Sequence, residues 1–255
     1  MVKFLVIFTI FVNFVFGFDM QTQKFVVSGS DEKFCDIYAP SLNIGQSGIV
    51  LHHYSNENYV IIGQVEVIES SPTSSKLKIN YEDIIKQDAL PSMKRKVQNG
   101  DIVILNHLYS NVLIVSPNFE GYKQASKNFE HANILHPDIM GAYLKITNKP
   151  TPNQQDFQEF AKAQNVGIFG FVFDKKLHIV DARSFKTLEI VAIEYDKKEV
   201  SDPFYTNIED IKSMIYDFKS TKVTNYDEYY AKLINKKEEN DSSRTFEFFK
   251  FFSWN

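Results

Sequence analysis

Between residues 21 and 117 the apolar positions fall in short, β-branched stretches separated by turn residues. Lys24-Phe25-Val26-Val27 is the first, and Ser47-Gly48-Ile49-Val50-Leu51-His52 follows the turn chemistry of Asn43-Ile44-Gly45. Ser55-Asn56-Glu57-Asn58 separates it from a long β-branched run over 59–68. A Ser/Pro/Thr loop over 70–75 precedes Leu77, Ile79 and Tyr81, which alternate with polar residues at the period of a half-buried strand. Asn99-Gly100-Asp101 introduces Ile102-Val103-Ile104-Leu105, and residues 112–115 close the series. Short strands at this spacing predict a small, closed or nearly closed β-barrel.

After Pro117 the period lengthens. Asn118 is placed to cap a helix through Tyr122, Ala125 and Phe129, and His136-Pro137-Asp138 opens a second. Thr151-Pro152 predicts the start of a third, with Phe157, Phe160 and Ala161 on its apolar face. Three strands are then expected over 166–173, 177–180 and 187–193, the first two joined by an Asp174-Lys175-Lys176 turn. Helices over 208–218 and 226–234 close the chain. The expected class is α+β: a β-barrel-like part over 18–117, an α/β unit over 118–197 (helix, then three strands), closing helices over 198–235 and a disordered tail over 236–255.

The first 17 residues read as a signal peptide. Lys3 is their single charge, residues 4–16 are apolar except Thr9 and Asn13, and Val15 and Gly17 set a cut before Phe18. The competing reading is a membrane anchor, but 13 helical residues reach about 20 Å against a bilayer core of roughly 30 Å. Export is the expectation.

The formal charge of −4 becomes −5 once Lys3 leaves, and mixed signs on a mildly acidic chain argue against nucleic acid as a partner. Cys35 is the only cysteine, so no internal disulfide forms; between Phe34 and Ile37 it reads as a buried residue, with a reactive thiol as the competing role. Candidate chemistry is sparse. His52 and His53 are neighbours on a strand and point to opposite faces, and His178 and Asp181 do the same. Neither G-x-S-x-G, P-loop nor dinucleotide fingerprint occurs. Gly167-Ile168-Phe169-Gly170 reads as a close packing contact. The expectation is no enzyme, no cofactor and no metal site.

One ordered set of short motifs has a wider resonance. It comprises Leu42-Asn43-Ile44-Gly45-Gln46-Ser47-Gly48-Ile49-Val50, Asp88-Ala89-Leu90-Pro91, Asn99-Gly100-Asp101-Ile102-Val103-Ile104 and Leu113-Ile114-Val115-Ser116-Pro117-Asn118. Asp156-Phe157-Gln158-Glu159-Phe160-Ala161 and Leu177-His178-Ile179-Val180-Asp181-Ala182-Arg183-Ser184-Phe185 complete it. Across residues 20–235 this resembles the N-terminal domain of the plasminogen-binding surface proteins of helicobacters and campylobacters. The resemblance implies a cell-surface protein that captures host plasminogen through kringle domains, whose carboxylates, aromatic trough and cationic end accept a lysine. Members of that family continue into a long Lys/Glu-rich segment ending in lysine, whereas this sequence ends Phe251-Phe252-Ser253-Trp254-Asn255, as a shortened or frameshifted tail would. The partner-binding candidates are therefore Lys236, Lys237 and, if the chain is trimmed behind it, Lys250. The alternative is a non-enzymatic periplasmic or envelope structural or assembly module with an envelope protein as partner.

Overall fold

The computed structural model describes residues 19–55, 58–81, 95–197, 200–208, 211 and 225–235. Strands β1 (Gln23–Ser30), β2 (Phe34–Ile37), β3 (Ser47–Ser55), β4 (Asn58–Ser70), β5 (Ser75–Asn80) and β6 (Ile102–Leu105) form a closed antiparallel barrel in the order β1-β2-β5-β4-β3-β6. Strand alternation sends Val27, Cys35, Ile37, Val50, Val65, Val67, Leu77, Val103 and Leu105 into one interior cluster. Burial pushes the Cys35 thiol up to about 12, so it packs as a small apolar side chain rather than a nucleophile. β2 has only four residues, too few for a readable period, yet it closes the wall by joining β1 to β5. Closure also needs glycine at position 48, where a Cβ would lie 2.3 Å from the Ile104 carbonyl oxygen across the β3–β6 pair.

The second sheet runs β11-β10-β9-β7-β8, from β7 (Asn111–Val115), β8 (Asn133–Leu135), β9 (Ile168–Phe173), β10 (Lys176–Asp181) and β11 (Thr187–Ala192). Residues 112–115 thus do not close the barrel series; they sit inside the second sheet, parallel to both β8 and β9. Their side chains are fully buried on both faces, as in any central parallel strand. A continuous apolar run carries no label saying which sheet it joins. The three expected strands are present as the meander β9-β10-β11, and β7 and β8 extend them to five. The hairpin between β9 and β10 turns on Asp174 and Lys175, both at positive φ.

Helices cover both faces. α1 (Phe119–Ser126) and the 3₁₀ turn Lys127–Phe129 lead to β8, and Ala125 and Phe129 pack on Val112, Ile114, Val172 and Leu177. α2 (Pro137–Thr147) and α3 (Gln154–Gln164) lead from β8 to β9 across the opposite face, where Met140, Leu144, Phe157 and Phe160 meet Leu113, Val115, Phe169 and Phe171. α4 (Tyr226–Asn235) adds Tyr226, Tyr230 and Ile234 to that core. α1 and α2 begin where expected, on Asn118 and His136. α3 starts two residues later than Thr151-Pro152 suggests. Asn153 and Asp156 make a reciprocal capping box (3.1 and 2.8 Å), which satisfies two terminal N–H groups where a lone Thr satisfies one. Of the helix expected over 208–218, all but Ile208 and Ile211 lies outside the described residues, as do the signal segment, the Asp88-Pro91 motif and the tail.

His178 sits on the α4 side of β10, stacked on Phe173 (centroids 4.0 Å apart, planes at 10°), and its buried Nε2 has no hydrogen-bond partner. Burial, then the nearby Lys176 charge, lowers its pKa to about 4. The folded state therefore resists a proton that the unfolded chain takes up near pH 6.5. His178 costs nothing above that pH, and stability falls as pH drops from 6.5 towards 4, by about 3 kcal/mol at most. Urea unfolding of the parent and of His178→Phe at pH 7.5, 5.5 and 4.5 checks this. The substitution should remove most of the loss between the first two pH values; parallel curves would refute the assignment.

Candidate functional site

The barrel and the sheet meet around one carboxylate. Asp181 ends β10 with no solvent exposure, and its Oδ1 accepts the N–H groups of Arg183 (2.9 Å) and Ser184 (2.7 Å). Its Oδ2 accepts the Tyr109 hydroxyl (2.5 Å) and the Ser47 N–H (3.1 Å), the latter from the barrel. Burial, then the Asp181 charge, pushes the Tyr109 phenol well above its ordinary pKa, so the proton stays on the tyrosine and the bond stays donated to Asp181.

The loop after β10 adds three more ties. Arg183 Nη1 donates to the Gly48 carbonyl (3.0 Å), Ser184 Oγ to the Gly45 carbonyl (2.6 Å), and Lys186 Nζ to Glu66 (2.6 Å). Beside them Gln46 Nε2 donates to Asn106 Oδ1 (2.6 Å), and the Asn106 N–H to the Ser47 carbonyl (3.0 Å). Gly45 has φ +91°, and a Cβ there would lie 2.5 Å from the Lys186 Cβ. With four donors on its two oxygens, Asp181 is fully committed to structure. The arrangement is a weld between barrel and sheet.

His52 Nδ1 lies 2.5 Å from Asp101 Oδ1, while His53 packs on the Tyr59 ring (4.8 Å), so the two imidazoles diverge as alternation requires. The His52–Asp101 pair joins residues 49 apart and had no signal in either motif. Asp101 is further engaged by the Gln98 N–H (2.8 Å), and among the described residues no Ser, Thr or Cys hydroxyl or thiol bonds to His52. Gly167 marks a close approach to backbone: a Cβ there would lie 2.3 Å from the Leu108 carbonyl.

A doubly wound sheet offers ligands a crevice at the carboxyl ends of the strands where the connections diverge. Here that point lies between β7 and β9, since β7 leads to β8 on one side and β8 leads back across to β9 on the other. The chain itself occupies it. The Ser201 N–H donates to the Pro117 carbonyl (2.7 Å), the Tyr205 N–H to the Ser116 carbonyl (2.7 Å), and Phe204 is buried between them. Asp138 at the start of α2 holds the end of this segment by accepting the Thr206 hydroxyl (2.7 Å) and the Asn207 N–H (2.6 Å).

Among the described residues, a groove of about 590 Å³ lies between the barrel and β11, lined by Asp19, Phe25, Leu42, Asn43, Leu188 and Glu189 among others, and a shallower, more open depression of about 820 Å³ is lined by Glu120, Lys175, Glu194, Tyr195, Asp196 and Lys197. The partner-binding candidates Lys236, Lys237 and Lys250 lie outside the described residues. What the structure gives is their point of departure. α4 is anchored by Tyr229 and Tyr230, whose hydroxyls donate to the Pro152 (2.7 Å) and Pro203 (2.8 Å) carbonyls, and the described chain reaches Asn235.

A closed barrel welded to a three-layer α/β/α sandwich, with the chain's own backbone bonded across the end of β7, defines an α+β fold. The chain belongs to the family described as plasminogen-binding protein pgbA N-terminal, which it matches over residues 23–234, from the first residue of β1 into α4. The family's description is of a binding protein and not of an enzyme. No curated protein and no solved structure matches the chain.

Proposed function

We propose that this protein is exported to the cell surface and binds host plasminogen through lysine-dependent contacts with its kringle domains. The observation that carries the reading is the family match, which spans the welded body from β1 to α4. The body acts as a platform: α4 fixes the chain up to Asn235, and Lys236 and Lys237 follow directly in sequence. Lys236, Lys237 and Lys250 supply the ammonium groups, beside Glu238 and Glu239, which stand in for the carboxylate of a terminal lysine. The protein is a binder and not a catalyst. Capture of the purified exported chain by immobilised plasminogen tests this, with a soluble lysine analogue as competitor. Binding that the analogue abolishes supports the reading, and absence of capture contradicts it.

The filled crevice favours a second reading, a periplasmic or envelope assembly module that docks to an envelope protein by its surface. Added protease on intact cells separates the two, because a surface protein is cleaved and a periplasmic one is protected.

A further inference from the structure

The geometry points to a docking site on the outer wall of the barrel, where a cross-strand row of aliphatic side chains receives the aromatic tail of this same chain, Phe246–Trp254. Strand register fixes the row. Val26 of β1 lies opposite Ile102 of β6, Ile102 opposite Leu51 of β3, and Leu51 opposite Ile61 of β4. Their strand neighbours Val27, Val103, Val50 and Ile62 fill the barrel interior, so alternation turns all four outward. Two residues further along the strands, Ile104 and Ile49 face the same way between Lys24 and Gln64.

The row is open to solvent at both ends. Val26 is 60% exposed and Ile61 42%, with Tyr59 next to it on the same face at 49%, while Ile102, Leu51 and Ile104 are half-buried. The opposite wall of the same barrel is built differently. There β2, β5 and the second half of β4 set Asp36 against Lys76 and Glu66 against Lys78, and the outward Phe34 ring is covered by the Lys76 ammonium. Charge is what an outward strand position carries when it meets only water, so the aliphatic row marks a contact surface.

A stable pair of copies needs roughly 20–30 residues a side, several times what this row offers, so the occupant is a short apolar segment. The chain carries one. Phe246–Trp254 holds five Phe and the protein's single Trp in nine residues, a density of aromatics foreign to a solvated segment. Ten residues, 236–245, tie it to the end of α4 at Asn235. Extended, they reach about 35 Å, roughly twice the radius of gyration of a body of this size. Such a tether holds the tail at an effective concentration of about millimolar, so a modest affinity keeps it docked. Charge fits as well: Lys24 is the one charged residue in the two rows, and Glu247 stands between Phe246 and Phe248 to meet it.

Trp254 is the only tryptophan, so its fluorescence reports the tail alone. In the exported chain, acrylamide is expected to quench it at least about three-fold less efficiently than free N-acetyltryptophanamide, as a tail docked most of the time requires. Its emission should lie at shorter wavelength than that of the free compound. Val26→Lys and Ile61→Lys each put a charge into the row at an exposed position and leave the barrel interior untouched. Each is expected to return quenching and emission towards the free values while the melting temperature stays the same. Three results overturn the proposal. One is a parent Trp254 as open to quencher as the free compound. Another is protection that survives both substitutions. The third is protection lost on dilution, which would put the tail of one copy on another. Plasminogen enters none of these measurements, so their outcome is separate from that of the proposed function.

Discussion

Asp181→Ala is expected to remove about 3–5 kcal/mol of stability, the range for taking one partner from a buried, charged hydrogen-bond cluster. The arithmetic follows from its four donors. The Tyr109 hydroxyl loses its buried acceptor, the Ser47 N–H keeps only the Tyr109 oxygen of its two, and the Arg183 and Ser184 N–H groups lose the one that closes their loop. The loop carries Arg183, Ser184 and Lys186, each of which ties into the barrel, so the damage spreads across the junction. A chain of this size should melt roughly 10 °C lower. Tyr109→Phe removes one of the four bonds and is expected to cost less than half as much. Urea unfolding followed by circular dichroism checks both. A loss below 1 kcal/mol for Asp181→Ala would show that barrel and sheet do not depend on this carboxylate.

Phe157→Ala is the second large effect, at about 3–5 kcal/mol. The Phe157 ring is fully buried at the centre of an aromatic group, with Phe171 at 5.2 Å, Phe169 at 5.4 Å, Phe185 at 6.2 Å and Tyr230 at 6.4 Å between centroids. Phe185 matters here because it belongs to the Asp181 loop and holds a positive φ of 58°, a conformation that costs a bulky residue roughly 1–3 kcal/mol. Burial of its ring against Phe157, Phe169 and Phe171 offsets that strain. Removing Phe157 therefore opens a cavity and loosens the loop that welds the two parts. The two substitutions share this loop, so the double variant should lose less than the sum of the single losses. Strict additivity would disconnect core from junction.

Much of this architecture was legible because its elements follow local rules. Alternation over 76–81 gave β5, and Asn118 and His136-Pro137 gave the starts of α1 and α2. β2 and β8 are not legible in sequence because four and three residues cannot display a period. Residues 112–115 join the second sheet and not the barrel that their position in the series suggests, because a strand buried on both faces looks alike in either. The motifs that carry the family resemblance had no visible chemistry in sequence. In the structure two of them meet: Gly45, Ser47 and Gly48 from the first are bonded by Asp181, Arg183 and Ser184 from the last. They are the weld, formed between residues more than 130 positions apart, and no local pattern announces such a contact. The groove at β11 was equally silent, since it arises only when the barrel stands beside the sheet.

In the proposed function, host recognition lies on the lysines beyond α4 and the folded body is their platform. The most direct measurement compares capture by immobilised plasminogen of the full chain and of the triple variant Lys236→Gln, Lys237→Gln, Lys250→Gln. The prediction is that the parent binds, that a soluble lysine analogue displaces it, and that the variant loses at least about ten-fold in affinity while melting at the same temperature. A variant that binds as tightly as the parent would contradict it and move the recognition surface onto the folded body.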